Sequence, residues 1–271
     1  MNESIKRQVS LLRRFSLNFV KGIGVSPLLG RFVGPRILMN SIPKSGTNLL
    51  EQTLIHFPLL HRGGVRTLRS WNEPTREMLE RVNRIGKGEF LTAHLPAHKE
   101  LMSVLSKTDV KVILMIRDPR DIVVSNFNYV LKVDKTHPTY EYLHSLPDDK
   151  SRLMATICGV DGLITPIAEA LKLYEPWLRF ENTHVVRFED LIGEQGGGSL
   201  QGQLKTVSDL ASFLEVQLSE QKLQHICSKI YNSRSITFRK AQIGGWKDVF
   251  CREHLAAYSR SVDGLASLYG Y

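Results

Sequence analysis

The chain has 271 residues, 42% of them hydrophobic and 23% charged, enough for one large domain with a substantial core. Its 36 Lys and Arg against 27 Asp and Glu give a net charge of +9, which favours an anionic partner. There is no sustained Lys/Arg tract, zinc-finger spacing or RNP-type aromatic pattern, so nucleic acid is not the expected partner. No stretch reaches the roughly 18 uninterrupted apolar residues of a membrane span, and no apolar run precedes a small-residue cleavage site. Cys158, Cys227 and Cys251 are scattered and odd in number. The expectation is a cytoplasmic protein in a reducing compartment, with no metal site.

Residues 1–35 read as a basic extension in which Lys6, Arg7, Arg13, Arg14, Lys21 and Arg31 interleave with apolar residues. Part of it, about residues 5–20, has the pattern of an amphipathic helix ended by Gly22 and Gly24. Two readings are open: peripheral attachment to an anionic membrane, or a helix packed on the domain with solvated charges. From residue 36 to 271 strands and helices alternate. Strands are expected over 36–42, 89–93, 110–116 and 184–188. Helices are expected over 47–56, 97–106, 120–130, 164–178, 205–214, 219–229 and 252–268. Residues 193–203, with three successive glycines, read as a flexible surface loop. The pattern implies a single α/β domain: a central parallel sheet flanked by helices on both faces. Ligands of such sheets sit at the carboxyl ends of the strands, so the loops 43–48, 94–96 and 117–120 should share one rim.

The first of those loops is the most informative. An apolar strand stops at Pro43, and Lys44, Ser45, Gly46, Thr47 and Asn48 lead into a helix. Helix N-terminal N–H groups, two hydroxyls and a lysine make a socket for a phosphate-like anion. The lysine precedes the glycine, unlike the GxxxxGK[ST] order of an ATP-binding loop. In the third loop Arg117 ends a strand and Asp118-Pro119 opens a helix carrying Ser125. Arg117 and Ser125 can converge on one anion, or Arg and Asp can simply cap the helix. A further segment, with Arg239, Lys240, Gly244, Gly245, Trp246 and Lys247, suits a basic clamp over a nucleotide or a solvated loop. His94, at the end of a strand and facing an anion-binding rim, is a candidate general base.

These four elements, in this order, resemble the sulfotransferases that use 3′-phosphoadenosine 5′-phosphosulfate (PAPS), of the cytosolic type and bacterial-like. The resemblance runs from about residue 36 to 258 and implies their P-loop-like fold. It implies that Lys44 stabilises charge on the oxygen bridging phosphate and sulfate, and that Ser45, Gly46, Thr47 and Asn48 hold the 5′-phosphate. Arg117, Ser125, Arg239 and Lys240 would hold the 3′-phosphate, with Phe188 and Ala241 also at the cofactor. His94 would deprotonate the acceptor hydroxyl. PAPS would leave as adenosine 3′,5′-bisphosphate, without a metal. Departures from the family pattern are Leu49 in place of an adenine-stacking tryptophan, Phe188 in place of tyrosine, Ala241 in place of glycine and Gly245 in place of aspartate.

The acceptor is expected to be a glycan, a glycolipid or another polar hydroxyl compound. Candidate lining segments are 61–74, with Arg62, Arg66 and Arg69, and 132–150, with Tyr140, Tyr142 and His144. Two rivals stand: a divergent P-loop nucleotide kinase using ATP–Mg²⁺, and a non-catalytic nucleotide-binding protein.

Overall fold

The computed structural model describes residues 25–64, 66–231, 242–262 and 264–271. The helix expected over 5–20, and Arg239, Lys240 and Ala241, lie outside the described residues.

Six strands form one sheet: β1 (Ile37–Ser41), β2 (His61–Arg62), β3 (Leu68–Arg69), β4 (Glu89–His94), β5 (Lys111–Ile116) and β6 (Thr183–Arg187). Their order is β2-β4-β1-β5-β6, with β3 also on β4, and every pairing is parallel. The central strand β1 is buried along its whole length, as an apolar run between two neighbours must be. The four expected strands are present, with ends shifted by no more than one residue. β2 and β3 were not expected. Two residues each, they carry no alternation to read, and they exist because β4 offers them an edge.

Helices cover both faces, as expected. One face packs Ile37, Met39, Phe90, Ile113 and Met115 against α2 (Thr47–Ile55), α9 (Phe188–Leu191), α10 (Leu200–Phe213) and α11 (Glu220–Ile230). The other packs Leu38, Leu91, Ala93, Val112 and Leu114 under α3 (Arg76–Asn83), α4 (Lys99–Leu105), α5 (Pro119–Lys132), α7 (Asp149–Cys158), α8 (Ile167–Tyr174) and α12 (Arg252–Val262). Alternate residues of one strand thus feed opposite cores. A short helix α1 (Val25–Val33) precedes β1, α6 (Tyr140–Ser145) follows α5, and α13 (Leu265–Leu268) ends the chain.

The structure corrects several sequence expectations. The loop expected over 193–203 stops at Ser199 and holds a 3-10 turn, Glu194–Gly196; α10 starts at Leu200, its N-cap Ser199 accepting from Gly202 N–H. The helix expected over 164–178 ends at Tyr174 and tightens into a 3-10 helix, Glu175–Arg179, with a proline in its first turn. The helix expected over 252–268 breaks at Gly264, whose φ of 75° is left-handed. α3, α6 and α7 were missed. The caps of α3 and α7, Thr75 and Asp148, were legible, but their charged faces hid the apolar period. Among the described residues no helix is long and apolar enough to cross a membrane.

Candidate active site

The loop after β1 is built around Ser45. This residue is buried; its hydroxyl lies 2.6 Å from the Ile42 carbonyl and 2.8 Å from that of Met115 on β5, and its N–H donates to Ile42 at 3.1 Å. Ser45 therefore spends its donors on fastening the loop to the sheet. Of the two hydroxyls the sequence offered to an anion, only that of Thr47 remains at the rim. The tight path forces Lys44 to a φ of 72° and Gly46 to 114°. A side chain at Gly46 would press on Phe188 at 2.7 Å, so only glycine fits. No side chain caps the N-terminus of α2. Leu49 N–H, in the first turn, reaches back to the Gly46 carbonyl at 2.8 Å, and the positive end of the helix dipole suits an anion.

Lys44 lies with Nζ 3.6 Å from the centroid of the Tyr129 ring, and Tyr129 in turn donates to Asp134 at 3.0 Å. Burial, then the charges of Arg69 and Arg117, lower the Lys44 pKa from 10.5 to about 8, against a smaller opposing pull from Asp134. Three cations crowded at one rim, one of them desolvated, constitute an electrostatic demand for an anion.

A loop follows β4, which ends on His94. Its Nδ1–H donates to the Ser41 carbonyl at 2.9 Å, with the Ser41 hydroxyl 3.1 Å away. That contact fixes the tautomer and leaves Nε2 as the basic nitrogen. The Ser41 hydroxyl also lies 2.8 Å from that of Thr47, so a short chain of hydrogen bonds joins the anion loop to the histidine. Burial first, then Arg69 and Lys44, lower the His94 pKa to about 4 against the opposing Ser41 contact. The ring is neutral at pH 7. Asn40 sets the loop's position: its Nδ2 donates to the Leu95 carbonyl at 2.8 Å, and its Oδ1 accepts from Leu95 N–H at 2.9 Å and Ser41 N–H at 3.0 Å. Trp177 Nε1 donates to the same Leu95 carbonyl at 3.0 Å.

The loop after β5 brings Arg117. Its guanidinium stacks 4.1 Å over the buried ring of Phe188, lies 3.4 Å from Asp121, and donates to the Gln242 carbonyl at 2.8 Å. Among the described residues its buried Nε has no hydrogen-bond partner, a donor suited to an anion oxygen. Ser125 lies one turn beyond Asp121 on the same face of α5, and Tyr129 one turn further. It therefore lies between the surroundings of Arg117 and those of Lys44, although Arg117 donates to Gln242 rather than to Ser125. Leu49, where an adenine-stacking ring was noted as missing, is buried in the core.

Two carboxylates bind a remote segment to this rim. Asp121 accepts from Gly244 N–H at 2.8 Å and Trp246 N–H at 3.0 Å. Asp118 caps α5, pairs with Arg120 at 2.7 Å, and accepts from Trp246 Nε1 at 3.1 Å; the indole carries Arg120 4.0 Å above it. Thus Asp118 does act as the cap the sequence allowed, while Arg117 turns to Asp121 and the Gln242 carbonyl instead of pairing with Asp118. Asn40, Ser41 and Asp121 were not singled out from sequence, and Asp118 was read only as a helix cap. The signals were present: a polar Asn-Ser pair ending an apolar strand, and acids one and four residues after Arg117.

Of the three arginines proposed to line the acceptor, Arg62 turns inward: it donates to the Thr92 hydroxyl at 3.1 Å and lies 3.6 Å from buried Glu51. Arg66 and Arg69 are exposed, and β3 sets Arg69 in register beside His94. In the second segment Tyr140 and His144 stack on each other in α6 at 5.4 Å.

A family model for the sulfotransferase domain matches residues 34–267, most of the chain. The chain belongs to the sulfotransferase family. It is 24% identical over 237 residues to a 3-alpha-hydroxysteroid sulfotransferase of Cavia porcellus, covering 80% of this chain and 79% of the relative. It is 23% identical over 228 residues to human Sulfotransferase 4A1, covering 77% and 72%. Among solved structures it superposes on mouse sulfotransferase SULT7A1 complexed with PAP, with a TM-score of 0.62 at 17% identity over 92% of this chain and 94% of that one. It also superposes on retinol dehydratase in complex with androsterone and inactive cofactor PAP, at 0.56 and 16% identity over 84% and 80%. At these identities the superpositions establish the shared α/β fold, and the family match gives the chain its class.

Proposed function

We propose that this sulfotransferase transfers a sulfuryl group from PAPS to an acceptor hydroxyl, with His94 as general base and Lys44 at the leaving group. The observation behind this reading is the hydrogen-bond path Thr47–Ser41–His94, which ties the anion loop and the base into one unit. The 5′-phosphate fits the uncapped N-terminus of α2, with Gly46, Thr47 and Asn48. The 3′-phosphate fits Arg117 and Ser125, joined by Arg239, Lys240 and Ala241, with Phe188 as the floor beneath Arg117. Ser45 holds the loop rather than the phosphate. PAPS supplies the sulfuryl group and its bridging oxygen. Lys44 stabilises negative charge there, and His94 Nε2 takes the acceptor proton. The residues assigned to these roles need no metal ion.

The catalytic unit is residues 36–271, with 1–35 as an extension, and the enzyme acts in the cytoplasm. Arg69 beside His94 and the nearby Arg66 favour a glycan, a glycolipid or another polar hydroxyl acceptor that carries negative charge. Thermal-shift measurement with adenosine 3′,5′-bisphosphate against ATP–Mg²⁺ tests the donor site. Stabilisation by the bisphosphate is expected; stabilisation by ATP–Mg²⁺ alone would replace this reading with a kinase. His94→Ala should keep bisphosphate binding and lose transfer. A bisphosphate shift with no transfer by the wild type to any of a panel of glycans, glycolipids and phenols would favour the non-catalytic alternative.

A further inference from the structure

Helix α1 is mounted the reverse of an ordinary surface helix. Its small residues face the protein: a Cβ on Gly30 would lie 2.0 Å from the Leu59 carbonyl oxygen, and one on Gly34, just past the helix, 2.6 Å from Gly88 Cα. Its large apolar residues face outward. Leu28, Leu29, Phe32 and Val33 are 63%, 51%, 72% and 62% exposed. The other exposed large apolar side chains among the described residues are scattered singly along the chain. A contiguous apolar face held by a close glycine contact is a surface awaiting a partner.

Charge indicates which partner. Residues 1–36 contain Lys6, Arg7, Arg13, Arg14, Lys21, Arg31 and Arg36 against a single acid, Glu3. A second copy of the chain would bring one net charge of +9 against another, which opposes association. An anionic lipid surface offers the opposite sign around an apolar interior. A nine-residue helix buries too little to hold a membrane alone, whereas an apolar wedge beside a polybasic segment supplies the two signals that stable peripheral binding needs. We infer that α1 docks on an anionic lipid bilayer.

This surface has a defined relation to the active site. Gly88 N–H donates to the Pro35 carbonyl, and these residues precede β4 and β1, so α1 packs at the N-terminal ends of the strands. Lys44 and His94 sit at the C-terminal ends. A six-residue strand such as β4 separates the two by about 20 Å. The docked enzyme thus holds its active site away from the lipid and receives its acceptor from the aqueous side. That separates membrane docking from the choice of a lipid-linked acceptor.

Flotation of the full chain with phosphatidylserine-rich vesicles, against pure phosphatidylcholine vesicles, tests this. Binding is expected to the first, to weaken with salt, and to fall to the phosphatidylcholine level in Leu28→Ser/Phe32→Ser. Both changes sit on exposed positions, so thermal unfolding should match the wild type. Should the double variant fail to fold, Arg13→Glu/Arg14→Glu supplies the second probe, with the same loss expected. Equal binding to both vesicle types, or undiminished binding by the variants, overturns the inference. So does a wild-type dimer by light scattering that the apolar double variant converts to monomer, since a second copy would then be the occupant.

Discussion

The two halves of the active-site rim are held by different forces. Around β1 and β4, neutral hydrogen bonds to backbone fix everything: Asn40 to Leu95, Ser45 to Ile42 and Met115, His94 to Ser41. All lie within or beside paired strands, so nothing there moves without breaking the sheet. Around β5, carboxylates hold pieces distant in sequence, Asp121 gripping Gly244 and Trp246 from 123 and 125 residues away. The first half suits groups that must keep one geometry during chemistry. The second suits the proposed hold on the donor, which needs a distant segment fixed at the rim. Variants of the first half should therefore lower kcat, and variants of the second should raise the KM for the donor.

The largest effects should fall on the rigid half. In the proposed mechanism Lys44→Met removes the cation from the leaving group, and kcat should drop by about 10²–10³-fold, the usual scale for one lost charge-stabilising donor. Bisphosphate binding should weaken less. The same variant should unfold at a slightly higher temperature without ligand, because Lys44 is a buried charge with a depressed pKa and the folded state loses stability by carrying it. A KM increase with unchanged kcat would move Lys44 to the nucleotide-gripping half and break the comparison.

The pH dependence of kcat/KM for the donor should be bell-shaped. In the proposed mechanism His94 acts neutral, so activity should fall as pH drops through its pKa of about 4, and Lys44 acts charged, so activity should fall as pH rises through about 8. Bound donor brings negative charge to both groups, so the limbs of the kcat profile should lie at higher pH. In Lys44→Met the alkaline limb should vanish while the acid limb stays. An acid limb that persists in His94→Ala would assign it to another group.

The same contrast explains what was legible in the sequence. The rigid half was readable because local strand–turn–helix signals at 37–48 and 89–95 dictate it. The loop 44–48, His94 at a strand end and their shared rim all follow from a parallel sheet. The inward turn of the Ser45 hydroxyl was not readable, because it depends on Met115 arriving from β5. The carboxylate half was legible as motifs but not as a mechanism of assembly. Nothing local says that Asp121 will receive N–H groups from Gly244 and Trp246. Arg62 misled for the same reason: its partner Glu51 lies on α2, and only the fold makes that arginine structural rather than acceptor-facing.

An intermediate effect is expected at Asp121→Asn. The side chain keeps its size, but one of its two acceptors becomes a donor and faces a backbone N–H. The grip on the 244–246 segment should loosen and Arg117 should lose its neighbouring charge. The KM for the donor should rise about tenfold, equivalent to one lost charge-assisted hydrogen bond, with kcat at saturation within a factor of two or so. A fall in kcat instead would mean that this half also shapes the reacting geometry.

The smallest effect should come from Trp246→Phe. The change deletes one hydrogen bond, Nε1 to Asp118 at 3.1 Å, while the ring beneath Arg120 remains. Asp118 keeps Arg120 and the cap of α5, so no acceptor is stranded. The cost should be about 1 kcal/mol, which for a chain of this size lowers the unfolding temperature by about 2–4 °C. Backbone contacts from Gly244 and Trp246 to Asp121 survive, so the donor KM should change by less than about threefold. If Trp246→Phe matched Asp121→Asn in KM, the indole rather than the carboxylate would be what closes this half of the rim. The indole would then have to act by packing, because its single hydrogen bond is worth too little to account for tenfold.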